Sequence, residues 1–548
     1  SRLKCIKIDS SLVFKEDNKP KVNIEGILGA LPLTSAIKEI GTDYFNEMKK
    51  YKHVPDNTQE IEMLNIFDAL YIPDKELCQI YIDSFFTYAH YHFPTINRTV
   101  FEKDFSDFER PSHLFTFQAI VAVGARFLTR TEWTTEEINR QHDIVNLLVK
   151  RAKVLYEVNT PIEVIPMLQS LLLLAFLWEE DGLGYKNGLY WTQCAANFSQ
   201  NYALHKSVEN RNLSVYEKKS YKRIFWTIYI RDRLTAMSVG RPFLINLSEC
   251  SVEPLTMEDL NDDIPDLPSK YPQNQLSSYY FIHLIKFAHL LTNVIHKSSA
   301  SINDSSQSDG GILLNKHDTI RSDFYIKQCD ILCSKWFNDL PYGLKFTDKD
   351  KNTQNQYSAL LCSQYYSLLA SIHKSNIISR SMASTKGVSN VKYKDEYFPS
   401  WGITFQSGYM IAKIGEFLYN SNDIVLVAPV YCFCYYIGGL SMIYHLKNKD
   451  KRITAIANSC TSTCIKCLNK LSITLRPAKI ILFILLSVYN DDKKIESLVT
   501  NVLQPIGGED SKNKKLEEKN GKSERVKTSQ ESEKLKLSKM NLDQNQDT

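Results

Sequence analysis

Sustained alternation of apolar and polar residues is absent from this 548-residue sequence, which argues against a sheet-built fold, because half-buried strands repeat every second residue. A charged-then-apolar leader is also absent, and the twelve cysteines, scattered from Cys5 to Cys467, form no even framework. Both absences point to a reducing compartment rather than a disulfide-stapled secreted chain. Strong charge is lacking too: a formal net charge of +4 supplies no field that would draw the whole chain onto nucleic acid or an anionic membrane. No nucleophile elbow, zincin pair, phosphate loop or kinase signature occurs. No catalytic residue is assigned, and the chain is not expected to be an enzyme. After Gly507 there is no aromatic residue, and the Lys, Glu, Ser and Asn that follow cannot bury enough apolar surface to offset ordering entropy. Residues 508–548 are therefore expected to be a disordered tail.

What is present is helical. Hydrophobic residues make up 43% and charged residues 23%, so burial should dominate. Residues 1–73, broken by Pro20, Pro32, Pro55 and Pro73, read as an N-terminal lead-in. From Asp74 on, Leu77, Tyr81, Phe85 and Tyr88 recur at helical spacing until Phe93-Pro94. Thr160 with Glu163 and Ser214 with Glu217 are capping boxes opening two further helices, the second running through Trp226 and Tyr229 to the Gly240-Arg241-Pro242 stop. Between them, Trp191, Ala195, Phe198 and Tyr202 line another helix. The last clear apolar helix is Ala478–Tyr489. The spacing predicts an all-α, large multi-helical fold: a core over 74–295, a polar loop over 296–322, with Ser298–Gly311 at its centre, a C-terminal helical part of the same domain over 323–507, and then the tail. The uncharged run Ile424–Leu446 is long enough to cross a bilayer, but Pro429, Gly438-Gly439 and its tyrosines favour a buried core helix; no membrane partner is expected.

Several motifs admit a functional and a structural interpretation. Cys460, Cys464 and Cys467 have the spacing that supplies three thiolates to an iron–sulfur cluster, yet on a helix that spacing puts small residues on one packing face; no metal ligand is assigned, and Cys432 and Cys434 are read as packing too. Gly182, Gly184 and Gly188 echo a phosphate loop with the wrong spacing. Glu179-Glu180-Asp181 read as solvated helix-end carboxylates. The basic residues Lys218, Lys219, Lys222, Arg223, Arg231 and Arg233 read as a solvated face paired to carboxylates such as Asp232 or Glu217.

The stretch Lys222-Arg223-Ile224-Phe225-Trp226-Thr227-Ile228-Tyr229-Ile230-Arg231-Asp232-Arg233, followed by Gly240-Arg241-Pro242, resembles the signature of the fungal-specific transcription factor domain, also called the xylanolytic activator regulatory domain or middle homology region: a basic pair, an aromatic pair, a tyrosine, Asp-Arg, then Gly-Arg-Pro. Tyr81–Phe101, with Phe85, Pro94 and Ile96, resembles the family's opening helix and loop, and Gln169–His205 its middle helix pair. One departure is Arg231, where the family usually has an apolar residue. The resemblance implies the regulatory or effector domain of a nuclear zinc-cluster transcription factor controlling RNA polymerase II transcription. It also implies structural roles for Arg223, Phe225, Trp226, Tyr229, Asp232, Arg233, Gly240, Arg241 and Pro242; the Asp232-Arg233 pair late in the helix and Arg241 just past its glycine stop are expected to tie that helix end to a neighbour. Trp191, Trp226 and Tyr229 read as core aromatics in preference to a ligand box; if a small-molecule effector binds, its expected place is a cavity between these helices, near Trp191, Phe198, Trp226 and Tyr229. The family's zinc module needs two C-x2-C-x6-C clusters, which this sequence does not contain. The chain is thus expected to be a fragment or truncated product, with no cofactor of its own; zinc and DNA contacts are expected of a full-length protein. Co-regulators or the transcription machinery, and a homodimer, are the other expected partners. The alternative is a helical scaffold acting through protein partners or dimerisation without ligand sensing.

Overall fold

The computed structural model describes residues 58–104, 113–128, 134–158, 163–177, 186–262, 269–272, 274–303, 316–385, 400–421, 423–448 and 450–495. Among them there is no strand. The helices are α1 (Thr58–Ile66), α2 (Lys75–Tyr88), α3 (Arg98–Asp104), α4 (Leu114–Arg126), α5 (Thr135–Glu157), α6 (Val164–Leu177), α7 (Gly188–Asn201), α8 (Val215–Val239), α9 (Gln275–Asn303), α10 (Lys316–Asn338), α11 (Gln356–Thr385), α12 (Ser400–Asn420), α13 (Val430–Ile443), α14 (Lys451–Leu471) and α15 (Arg476–Tyr489). The capping box at Thr160, the turn at Asp181–Gly184 and its acidic neighbours, and the tail all lie outside the described residues.

The first half is organised around α4 and α6. Both are apolar on every side, and such helices belong in an interior: every α4 residue from Phe115 to Arg126 is buried, as are nearly all of α6. α4 packs on α2, α5 and α6, and α6 on α7 and α8. Gly124 is the crossing point of α4 and α2, since a Cβ built there would lie 1.9 Å from the Tyr81 carbonyl oxygen. On α2 the buried face is Cys78, Tyr81, Ile82 and Phe85, while Leu77 is exposed. Its position in the apolar series was therefore misjudged, because Cys78 and Ile82 define the stripe that meets α4.

α8 hands the chain over to α9, which packs on α10 and α11; α11 to α15 then pack in succession. α9 runs on to Asn303 and α10 begins at Lys316, so helix enters both ends of the polar loop expected over 296–322. Serine and asparagine are only mildly unfavourable in a helix, and no proline or glycine interrupts it before Gly310. α13 is a 14-residue buried helix, and among the described residues no helix is long and apolar enough to cross a membrane. Cys460, Cys464 and Cys467 lie buried on one face of α14, against glycines of the neighbouring helices: a Cβ on Gly415 would meet the Cys467 Sγ at 2.9 Å and one on Gly438 the Cys464 Sγ at 3.4 Å. Burial pushes the Cys460 thiol up to about 11 and Cys467 up to about 12, which disfavours the thiolates a cluster would require. The two halves meet where α8 packs on α13 and where the Arg126 guanidinium donates to the Val427 carbonyl at 3.1 Å. One continuous apolar core runs from Leu64 to Ile495.

Candidate functional site

The site is built on α8. Ser214 opens it: the Ser214 Oγ accepts from the Glu217 backbone N–H at 3.2 Å, and the Glu217 carboxylate accepts from the Ser214 N–H at 2.9 Å. Gly240 closes it in the left-handed conformation, φ 67°, its N–H reaching the Ala236 carbonyl at 2.8 Å. That backbone favours glycine. Between these ends α8 is buried almost all round, from Arg223 to Ala236. Arg223, Arg231 and Arg233 are thus inside the protein, correcting the expectation of a solvated basic face; the lysines do pair to carboxylates, Lys219 to the exposed Glu258 at 2.8 Å and Lys222 to the buried Asp259 at 2.5 Å.

Two ion-pair clamps neutralise most of the buried charge. In the first, one carboxylate serves two arginines: Asp262 Oδ1 lies 2.6 Å from the Arg223 guanidinium, and Oδ2 accepts from the Arg98 Nε–H at 3.0 Å and the Arg98 backbone N–H at 3.1 Å. Burial alone would raise the Asp262 pKa, but Arg223 and Arg98 outweigh it and hold it below the usual carboxylate value. In the second clamp, Asp232 pairs with Arg233 and accepts from the backbone N–H groups of Leu244 at 3.0 Å and Ile245 at 3.1 Å, while Arg233 donates to the Ile245 carbonyl. The adjacent acid and base thereby fasten the strap 243–248 back onto the helix. Arg241 is exposed and forms no ion pair among the described residues. Of the three residues expected to tie the helix end to a neighbour, Arg241 does not; the Asp232–Arg233 pair does, through the backbone of 244–245.

The strap and α9 enclose a groove of about 530 Å³ lined by Tyr229, Arg233, Phe243, Asn246, His289 and Asn293, among others. The Tyr229 hydroxyl lies 3.1 Å from His289 Nδ1 and 3.0 Å from Thr292 Oγ1, which also accepts from the Arg233 Nε–H at 3.0 Å. Burial raises the Tyr229 pKa, and burial with the Arg233 charge lowers that of His289, so near neutral pH the floor offers uncharged hydrogen-bonding groups. Such a floor suits a polar, neutral part of a ligand. Of the four expected cavity residues, only Tyr229 lines the groove. Trp226 stands edge-on behind it and donates to the Glu253 carbonyl at 2.9 Å; Phe198 is half-buried on α7; Trp191 is buried against Tyr156, ring centroids 5.2 Å apart. Phe225 is wholly buried, and Pro242 is exposed.

Asp262, Arg98, His289 and Thr292 carry this architecture without standing out in the sequence. Ser400, His373 and Asp330 also form a hydrogen-bonded series, Ser400 Oγ to His373 Nδ1 at 3.1 Å and His373 Nε2 to Asp330 at 2.9 Å. The serine is 4% and the histidine 0% exposed, and the groove between the strap and α9 does not open onto the pair.

The profile of the fungal specific transcription factor domain matches residues 82–368, more than half of the chain, and contains both clamps and the groove. Cutinase transcription factor 1 alpha of Fusarium vanettenii is 26% identical over 413 residues, 75% of this chain and 43% of that protein. An acetamidase regulatory protein of Aspergillus oryzae is 21% identical over 314 residues, 56% of this chain and 36% of its own. An ABC-transporter-regulating transcription factor of Aspergillus fumigatus is 23% identical over 358 residues, 62% and 38%. The chain spans less than half the length of each of these relatives. No solved structure matches it.

Proposed function

Because the chain belongs to the fungal specific transcription factor domain family, we propose that it is the regulatory part of a nuclear transcription factor, joined in the full-length protein to a zinc-dependent module that reads DNA. The observation carrying this reading is the family match over 82–368, supported by relatives that are themselves transcription factors. The regulation is by a small effector in the groove between the strap 243–248 and α9. A ligand hydrogen-bonded to Tyr229 and His289 would hold the strap against α9 and favour the closed arrangement in proportion to its differential affinity.

The test is a reporter gene driven by this chain fused to an unrelated DNA-binding module, assayed with Tyr229→Ala and His289→Ala variants across growth conditions. Transcription that changes with a metabolite and loses that response in both variants supports the reading. Transcription that changes with no metabolite, in a fusion that still activates or represses, favours a scaffold working through protein partners. A folded fusion that leaves transcription unaltered under every condition refutes the regulatory reading itself.

A further inference from the structure

Four of the buried or partly buried arginines have acidic partners: Arg98 and Arg223 share Asp262, Arg233 pairs with Asp232, and Arg151 approaches Asp68 at 3.8 Å. Arg231, 8% exposed, forms no ion pair among the described residues. Among the described residues its side-chain hydrogen bond runs to the Ala175 carbonyl at 2.8 Å, and its Nε–H has no acceptor there. The guanidinium carbon sits 5.6 Å from the Phe93 ring centroid and 6.0 Å from that of Phe176. Around the same Phe176 ring are Arg126, at 5.1 Å, and the His92 imidazole, at 5.7 Å. His92, likewise 8% exposed, has an Nε2 without a partner.

A buried cation lacking a counter-charge costs several kcal/mol, which a cation–π contact only partly offsets. The local chemistry reflects that cost. Burial lowers Arg231 to about 10, and burial together with the Arg231 and Arg126 charges lowers His92 to about 3, keeping it neutral. Asp423, the acidic group bearing on this region, acts on Tyr91. Two residues along a helix rotate a side chain by about 200°, so Arg231 faces α6, away from the groove lined by Tyr229 and Arg233.

We propose that Arg231, assisted by His92, receives the carboxylate group of a small organic acid. The planar guanidinium matches a carboxylate's two oxygens, one negative charge balances one unpaired cation, and the apolar surroundings of Phe93 and Phe176 disfavour a hydrated dianion such as phosphate. This second site is distinct from the groove, and it does not depend on the regulatory reading.

The experiment is thermal unfolding and calorimetric titration of the full chain with sodium benzoate and sodium acetate, against sodium phosphate and chloride at matched ionic strength, repeated on Arg231→Leu and Arg231→Met. Expected is a saturable rise of the wild-type midpoint with the carboxylates alone, as linkage requires. Both variants should fold with midpoints at or above that of the anion-free wild type, and should bind at least tenfold more weakly. Three results would overturn the proposal: no carboxylate-dependent shift in the wild type up to about 20 mM, an equal shift in the variants, or an equal shift with phosphate. Failure of both variants to fold would overturn it as well, since it would make the cation a requirement of the empty fold. The readout is binding, so a silent reporter leaves the site standing, and a failed titration leaves the regulatory reading standing.

Discussion

Replacing Asp262 by asparagine keeps the volume of the side chain while removing the charge shared by Arg98 and Arg223. Asp262 is 1% exposed at its side chain, against 9% for Arg98 and 2% for Arg223, so water cannot take over the lost role. Removing one partner of a buried ion pair costs about 3–5 kcal/mol. Here one carboxylate serves two cations, and an asparagine could offer its oxygen to one guanidinium only by turning its amide donors towards the other. The expected loss is therefore at the upper end, about 5 kcal/mol. It should be read as a fall in the urea midpoint followed by far-ultraviolet circular dichroism. The variant Asp262→Asn/Arg98→Met/Arg223→Met, which removes all three charges, should recover part of the loss, because a well-packed apolar replacement avoids the desolvation penalty. A loss below about 1 kcal/mol in the single variant would refute the clamp as the element holding α3, α8 and the 258–262 turn together.

Gly124→Ala should destabilise strongly, by about 3 kcal/mol or more, since the new Cβ would meet the Tyr81 backbone oxygen at 1.9 Å; Gly343→Ala, whose Cβ meets only a leucine side-chain atom at 3.5 Å, should leave the melting temperature nearly unchanged. Arg241→Ala should stay within about 0.5 kcal/mol of wild type in chemical denaturation, whereas Arg233→Ala should be severely destabilised by the unpaired Asp232 it leaves behind. Stability should fall steeply with pH below about 6.5. His90, His283 and His445 are lowered to about 4 and His92 to about 3, in each case mainly by burial. Between those values and 6.5 the unfolded chain binds the extra protons, so stability rises with pH there. Near pH 5 the dependence of unfolding free energy on pH should report uptake of about four protons or more, since burial also lowers His142, His205 and His289, and a flat profile between pH 4 and 6.5 would contradict the burial of these imidazoles.

The ends of α8 were legible because capping is local: Ser214 and Glu217 stand three residues apart, and Gly240 precedes Arg241-Pro242. The same box, Thr134 with Glu137, opens α5, but the charge-rich first turns there mask the apolar face that apolar periodicity would reveal. What periodicity could not convey was the burial of α8 on every side. Arg223 is neutralised by Asp262, reached only after the chain has turned back on itself, and Arg233 by Asp232 beside it, so a helix with interior charge read as a helix with a basic surface. Trp191 and Trp226 are core aromatics, as their place on apolar helix faces suggested, and their own packing leaves no space beside them. The open space lies where the strap stands off α9, and its His289 and Thr292 belong to a helix that carries no motif.

The bond between Arg98 and Asp262 spans 164 residues, and this separation sets a timetable during synthesis. Chains grow at about 5–20 residues per second, so Arg98 emerges on the order of ten to thirty seconds before the carboxylate that neutralises it. Arg126 waits longer for its acceptor, 301 residues downstream at Val427. The apolar helices α4 and α6 are complete well before either contact can form. Hydrated until then, Arg98 can be buried only once α8 and the turn behind it have been made, and Arg126 can find its acceptor only once the chain has reached Val427.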